Sequence, residues 1–185
     1  MSFPDQYRTE LLKAIDAIDT AKVNQVIGWF NDARSAGRTI FVAGNGGSAS
    51  TASHFACDIV KGASFQRESR FRIMALTDSL PTLTAYSNDA GYECVFAEQL
   101  KNFAQPGDIF MAISGSGNSP NVVKAAEYAN AAGCKTVALT GRDGGKLGQV
   151  AQLNLQVSVP HMGRIEDAHL IICHMIGYYF MEADG

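Results

Sequence analysis

After Gly37 the chain reads as short apolar runs separated by helix-length segments, and this alternation constrains its fold more than any other feature. The runs are Thr39–Ala43, Phe71–Leu76, Asp108–Ile113, Lys135–Leu139 and Leu153–Val157. All but the last are dominated by apolar residues, as strands covered on both faces are, and the segments between them fit crossover helices. The pattern predicts an α/β fold, a doubly wound five-stranded parallel sheet flanked by helices. Leu153–Val157 alternates apolar and polar residues and belongs at an edge. Ahead of the sheet, Tyr7–Ile18 and Ala21–Ser35 repeat apolar residues at helical spacing. No linker or repeat divides the chain, so residues 1–185 form one domain, with an N-terminal helical segment over 1–36 and an α/β core over 37–185.

In such a sheet, ligands sit at the carboxyl ends of the strands where the strand order reverses. The loops after the first and third strands therefore draw the eye. The first is Gly44-Asn45-Gly46-Gly47-Ser48, leading into a helix over Ala49–Lys61. Its glycines let backbone approach a ligand closely, and Ser48 is placed to cap the helix, whose free N–H groups favour an anion. The other loop is Ser114-Gly115-Ser116-Gly117-Asn118-Ser119-Pro120-Asn121, before a helix over Val122–Ala132. Hydroxyls and backbone N–H groups at a helix N-terminus suit a phosphate dianion, so the phosphate is assigned here. Neither loop matches GxxxxGK[ST], and the first lacks the third spaced glycine of a dinucleotide fingerprint. A third polar loop, Thr140–Lys146, reads as a solvated turn.

Ligand-type side chains recur on two helices. His54 and Asp58 stand one turn apart on one face. The last helix, over Arg164–Met181, carries Glu166, Asp167, His169 and His174. Asp167 and His174 fall within about 20° of each other around that helix and Glu166 and His174 about 80° apart, so spacing favours Asp167 as the partner of His174. A carboxylate and an imidazole from each helix suit a divalent metal, zinc among them. A buried polar network is the equally weighted alternative.

A formal net charge of −3 gives no basic surface for capturing nucleic acid. The N-terminus is charged throughout, and no run of about 18 apolar residues occurs, so neither a signal peptide nor a membrane span is expected and the cytoplasm is the expected compartment. Cys57, Cys94, Cys134 and Cys173 form no CxxC pair and read as buried small hydrophobes.

GNGGSAS with AxHF, the block SGSGNSPNVVKA, LTGRDGGK, and VPH followed by RIEDAH and a further histidine together resemble the phosphoheptose isomerases of the sugar isomerase (SIS) fold. That resemblance implies a homotetramer with sites at subunit interfaces, converting sedoheptulose 7-phosphate to glycero-manno-heptose 7-phosphate. It implies that Asn45, Gly46, Gly47 and Ser48 meet the sugar, that Asn88, Asp89 and Glu166 contribute to the same pocket, and that Ser114, Gly115, Ser116 and Ser119 bind phosphate. His54, Asp58, Glu166 and His174 match the zinc-holding positions, which favours Glu166 over Asp167. Asp58 and His174 match the catalytic acid and base of an isomerisation through an enediol. The chain departs from the family at three points: Asp58 stands for a glutamate, Glu166 for a glutamine, and Gly163 for an aspartate in a segment about two residues shorter than usual. Those departures keep open an isomerase of a different phosphosugar; the other alternative is a non-catalytic phosphosugar-binding or protein-interaction module, against which the four retained ionisable groups weigh.

Overall fold

The structure, a computed structural model, describes residues 1–183. Helices α1 (Phe3–Asp16) and α2 (Thr20–Ser35) precede β1 (Thr39–Gly44), α3 (Gly47–Cys57), β2 (Arg72–Ala75), α4 (Leu80–Asp89) and α5 (Val95–Phe103). There follow β3 (Ile109–Ser114), α6 (Pro120–Ala131), β4 (Lys135–Gly141), α7 (Gly145–Val150), β5 (Leu153–Val157) and α8 (Met162–Tyr178). The strands pair in parallel in the order β2-β1-β3-β4-β5, and β5 lies at an edge as its alternation predicts.

Side chains alternate across the strands, so the sheet feeds two separate cores. Ile40, Val42, Ile109, Met111, Val137 and Leu139 pack with α1, α2, α3 and α8 on one face. Phe41, Ala43, Phe110, Ala112 and Ala138 pack with α5, α6 and α7 on the other. At the start of β3, the buried Asp108 carboxylate accepts from the N–H groups of Thr39 and Gln105, both at 2.8 Å, and so locks the entry of β1 to that of β3.

Three sequence expectations need correction. The run Phe71–Leu76 is not a strand covered on both faces: β2 is the second edge, and Arg72 and Met74 are exposed. The helix predicted over Ala49–Lys61 is not α-helical to its end, because Asp58–Gly62 widens into a π-helical turn; Tyr179–Ala183 does the same after α8. Cys57 is exposed and Cys94 half-buried, whereas Cys134 and Cys173 are buried. Burial pushes the Cys134 thiol up to about 11; it also raises that of Cys173, with the Asp58 carboxylate adding to the effect, so neither supplies a thiolate near neutral pH.

His169 ties α8 to the sheet. Its ring is buried, and Nε2–H donates to the Thr140 carbonyl at the end of β4 at 3.0 Å. Burial, only partly opposed by that bond, lowers its pKa to about 4. The folded state holds this imidazole neutral, while the unfolded chain takes up a proton near pH 6.5. Its contribution to stability is therefore complete above that pH and is lost as pH falls from 6.5 towards 4, by about 3 kcal/mol in all. Denaturation measured across this range should show a steeper acid loss for the wild type than for His169→Gln, which keeps a donor and cannot titrate. Parallel curves would contradict the assignment.

Candidate functional site

The strand order reverses between β1 and β3, with Gly44 level with Ile113. From there the chain leaves to α3 on one face and to α6 on the other, which opens a crevice between the two loops. A cleft of about 170 Å³ lies in it, lined by Asn45, Ser48, Ile113, Ser114, Gly115, Ser116, Ser119, Met162 and Glu166. Closed pockets for drug-sized ligands begin at roughly 300 Å³. At that size this cleft has room for one end of such a molecule.

The β3–α6 loop is internally braced. Ser114 Oγ accepts from the Gly117 N–H at 3.2 Å and Ser116 Oγ from that of Asn118 at 3.2 Å. Ser119 is the N-cap of α6, and its hydroxyl makes no capping bond, which leaves it available beside the helix N-terminus. The loop after β4 supports this turn: Leu147 N–H donates to the Gly117 carbonyl at 2.8 Å, and Lys146 N–H to Asn118 Oδ1 at 3.1 Å. Thr140–Lys146 thus buttresses the phosphate-type loop, and Arg142 lines a neighbouring open groove with Ser116 and Asn118.

Across the cleft, α3 starts at Gly47 with Gly46 as a positive-φ N-cap (φ 56°) and no side-chain cap. Ser48 therefore does not cap this helix as its position suggests; it is buried in the first turn and lines the cleft. The carboxylate of Glu166 approaches from α8. A Cβ at Gly47 would lie 3.0 Å from Glu166 Oε1 and 3.1 Å from Oε2, so glycine is what admits the carboxylate to this helix N-terminus. An anion is well placed there.

His54 of α3, Asp58 of the π turn and His174 of α8 converge. His54 Nε2 lies 3.2 Å from Asp58 Oδ2 and 3.4 Å from His174 Nε2, and His174 Nε2 lies 3.8 Å from the same carboxylate oxygen. One ligand atom from each lies within 4.8 Å of the others. Donors about 2.0–2.1 Å from a tetrahedral zinc stand roughly 3.3 Å apart, so this set fits a divalent metal with a position left open. Two facing imidazole nitrogens and a carboxylate oxygen also need a shared cation or proton between them. Glu166 is outside this trio and lines the phosphate-type cleft instead. Asp167, the partner that helical spacing favours, is engaged elsewhere: Tyr7 Oη donates to Asp167 Oδ2 at 2.6 Å, a bond that raises the Tyr7 pKa.

Gly163 faces the same tyrosine, with Tyr7 Oη 2.9 Å from where a Cβ would stand. Asn88 and Asp89 end α4, exposed and bonded to each other at 2.7 Å; neither lines the cleft. Tyr92, three residues beyond Asp89, does reach the site, donating from Oη to Asn45 Oδ1 at 2.8 Å. Nothing in the sequence marks it.

The family model for the SIS domain matches residues 5–141. Among curated proteins, a probable phosphoheptose isomerase of Thermoplasma volcanium is 41% identical over 89% of this chain and 82% of its own length. The phosphoheptose isomerase of Citrifermentans bemidjiense is 38% identical over 90% of this chain and 86% of its own. Among solved structures, the phosphoheptose isomerase of Neisseria gonorrhoeae superposes with a TM-score of 0.88 at 30% identity, covering 95% of each chain.

The donor geometry predicts how metal affinity divides among these side chains. In zinc titrations followed by calorimetry, His54→Ala and Asp58→Ala should each weaken binding by at least about tenfold. Glu166→Gln should leave it within about threefold. A loss in Glu166→Gln equal to that in His54→Ala would bring Glu166 into the ligand set.

Proposed function

The chain belongs to the phosphoheptose isomerases of the SIS-domain family, and we propose on that premise that it interconverts sedoheptulose 7-phosphate and glycero-manno-heptose 7-phosphate. The observation that carries this reading is that α3 and α8 each serve both parts of the site: they line a hydroxyl-rich anion cleft through Ser48 and Glu166 and bring the imidazoles of His54 and His174 together with the Asp58 carboxylate.

The phosphate lies against Ser114, Gly115, Ser116 and Ser119 at the N-terminus of α6. Among the described residues no lysine or arginine lines that cleft, so hydroxyls, backbone N–H groups and the helix dipole hold the dianion. The sugar runs past Asn45, Gly46, Gly47, Ser48 and Glu166 towards the His54–Asp58–His174 trio. Asp58 Oδ2 faces both imidazoles, which leaves Oδ1 to take the C1 proton of the ketose. The same proton returns to C2, while His174 gives a proton to O2 and takes one back from O1, completing the exchange through an enediol. Acid–base help of this kind contributes about 10²- to 10⁴-fold, and positioning and charge stabilisation supply the remainder. A divalent metal on the trio, zinc in our reading, supplies positive charge beside the sugar oxygens when bound.

The protein works as a homotetramer with sites at subunit interfaces. Exposed Val60, Phe65, Leu80 and Phe103 offer apolar surface for such contacts, and Asn88 and Asp89, which stand off the cleft of their own chain, are free to serve a neighbouring one. No helix among the described residues is long and apolar enough to cross a membrane; the cytoplasm is the compartment our reading assigns.

Purified protein assayed with sedoheptulose 7-phosphate should turn over, lose activity on chelation and regain it with zinc. Asp58→Asn and His174→Gln should each lower kcat by at least about 10²-fold with phosphate binding retained. A folded protein inert in every state, or near-full activity in either variant, would overturn the corresponding part of the proposal.

A further inference from the structure

Asn45 lines the cleft, yet most of its amide is already engaged by the protein. Its Nδ2 donates to Asn121 Oδ1 at 2.9 Å, and its Oδ1 accepts from Asn121 Nδ2 at 2.9 Å and from Tyr92 Oη at 2.8 Å. Asn121, on the first turn of α6, is only 2% exposed. The Val122 backbone N–H bonds Asn121 Oδ1 at 3.0 Å.

That last bond removes the ambiguity in both amides. A backbone N–H can only donate, so the atom facing Val122 is the oxygen of Asn121. With Asn121 so oriented, the reciprocal pair sets the nitrogen of Asn45 against that oxygen and the oxygen of Asn45 against Asn121 Nδ2. Tyr92 must then donate. Both lone pairs of Asn45 Oδ1 are in use, and one of its two N–H groups remains. At this wall of the cleft the side chain offers a ligand one donor and no acceptor.

We propose that Asn121 and Tyr92 are positioning residues that fix Asn45 as a single N–H donor to an acceptor oxygen of the bound phosphosugar. This rests on the isomerase reading for its ligand, though not for its geometry. The relay joins the β1–α3 loop to α6 across the crevice, so the two loops that frame the cleft keep their spacing through a pair of side chains. Because the donor is set in the free protein, it should act on the bound sugar in ground state and transition state alike, and its loss should appear in KM more than in kcat.

The test is a double-mutant cycle with sedoheptulose 7-phosphate. Asn121→Asp keeps the shape and the acceptor for Val122 and replaces the donor to Asn45 with an oxygen. It should raise KM about tenfold with kcat within about twofold, in a protein that remains folded with a lowered Tm. Tyr92→Phe, which leaves the amide pair intact, should raise KM about two- to threefold. In an Asn45→Ala background Asn121→Asp should add almost nothing, because it acts through Asn45. Additive effects, or wild-type KM in a folded Asn121→Asp protein, would overturn the proposal. Should the wild type not turn over this substrate, the function reading fails, and the relay is decided by NMR on the free protein. The Asn45 side-chain amide signals should move in both Asn121→Asp and Tyr92→Phe, and unmoved signals would refute it.

Discussion

The parallel pairing of β1 with β3 is the contact on which the site depends. It sets Gly44 beside Ile113 and sends the chain from one strand end to α3 and from the other to α6, on opposite faces of the sheet. The crevice between those helix N-termini follows from that divergence rather than from any one side chain. Asp108 holds the opposite ends of the two strands together through its bonds to Thr39 and Gln105. The last helix, α8, then packs beside α3, with His169 anchored to β4, and this delivers His174 to His54 and Asp58 and Glu166 to the cleft.

Charge is divided within this crevice. The α6 side offers hydroxyls and a helix N-terminus that the Ser119 side chain does not cap. The α3 side already receives a carboxylate from Glu166 over Gly47. A dianion entering the cleft is repelled from the α3 side by that carboxylate and drawn to the α6 side by dipole and hydroxyls, which sets the direction in which a phosphosugar lies. Of the carboxylate–imidazole trio, His54 and Asp58 stand about two and three turns beyond Gly47, and His174 comes from α8.

Much of this was legible in the sequence, because the features concerned repeat or are covalently local. Apolar runs fixed the five strands, alternation placed β5 at an edge, and glycine- and serine-rich turns marked both cleft loops. His54 and Asp58 were paired by helical spacing alone. What periodicity could not reveal depends on contacts between distant segments. β2 is as apolar as a central strand but pairs on one side only, and no local signal marks the widening of the α3 helix at Asp58. Helical angle favoured Asp167 as the partner of His174. Tyr7, from the other end of the chain, takes up Asp167, and His174 meets residues of α3 instead. Tyr92 and Asn121 act through side-chain bonds over 47 and 76 residues of separation from Asn45, which no motif encodes.

The central claim is that one phosphosugar spans the crevice, its phosphate at α6 and its carbonyl end at the trio. It is tested most directly by a crystal structure of the Asp58→Asn protein with sedoheptulose 7-phosphate. The account predicts phosphate oxygens within hydrogen-bonding distance of Ser114, Ser116 and Ser119, and C1 and C2 beside residue 58 and His174. A phosphate seated on the N-terminus of α3, or a sugar directed away from His174, would contradict it.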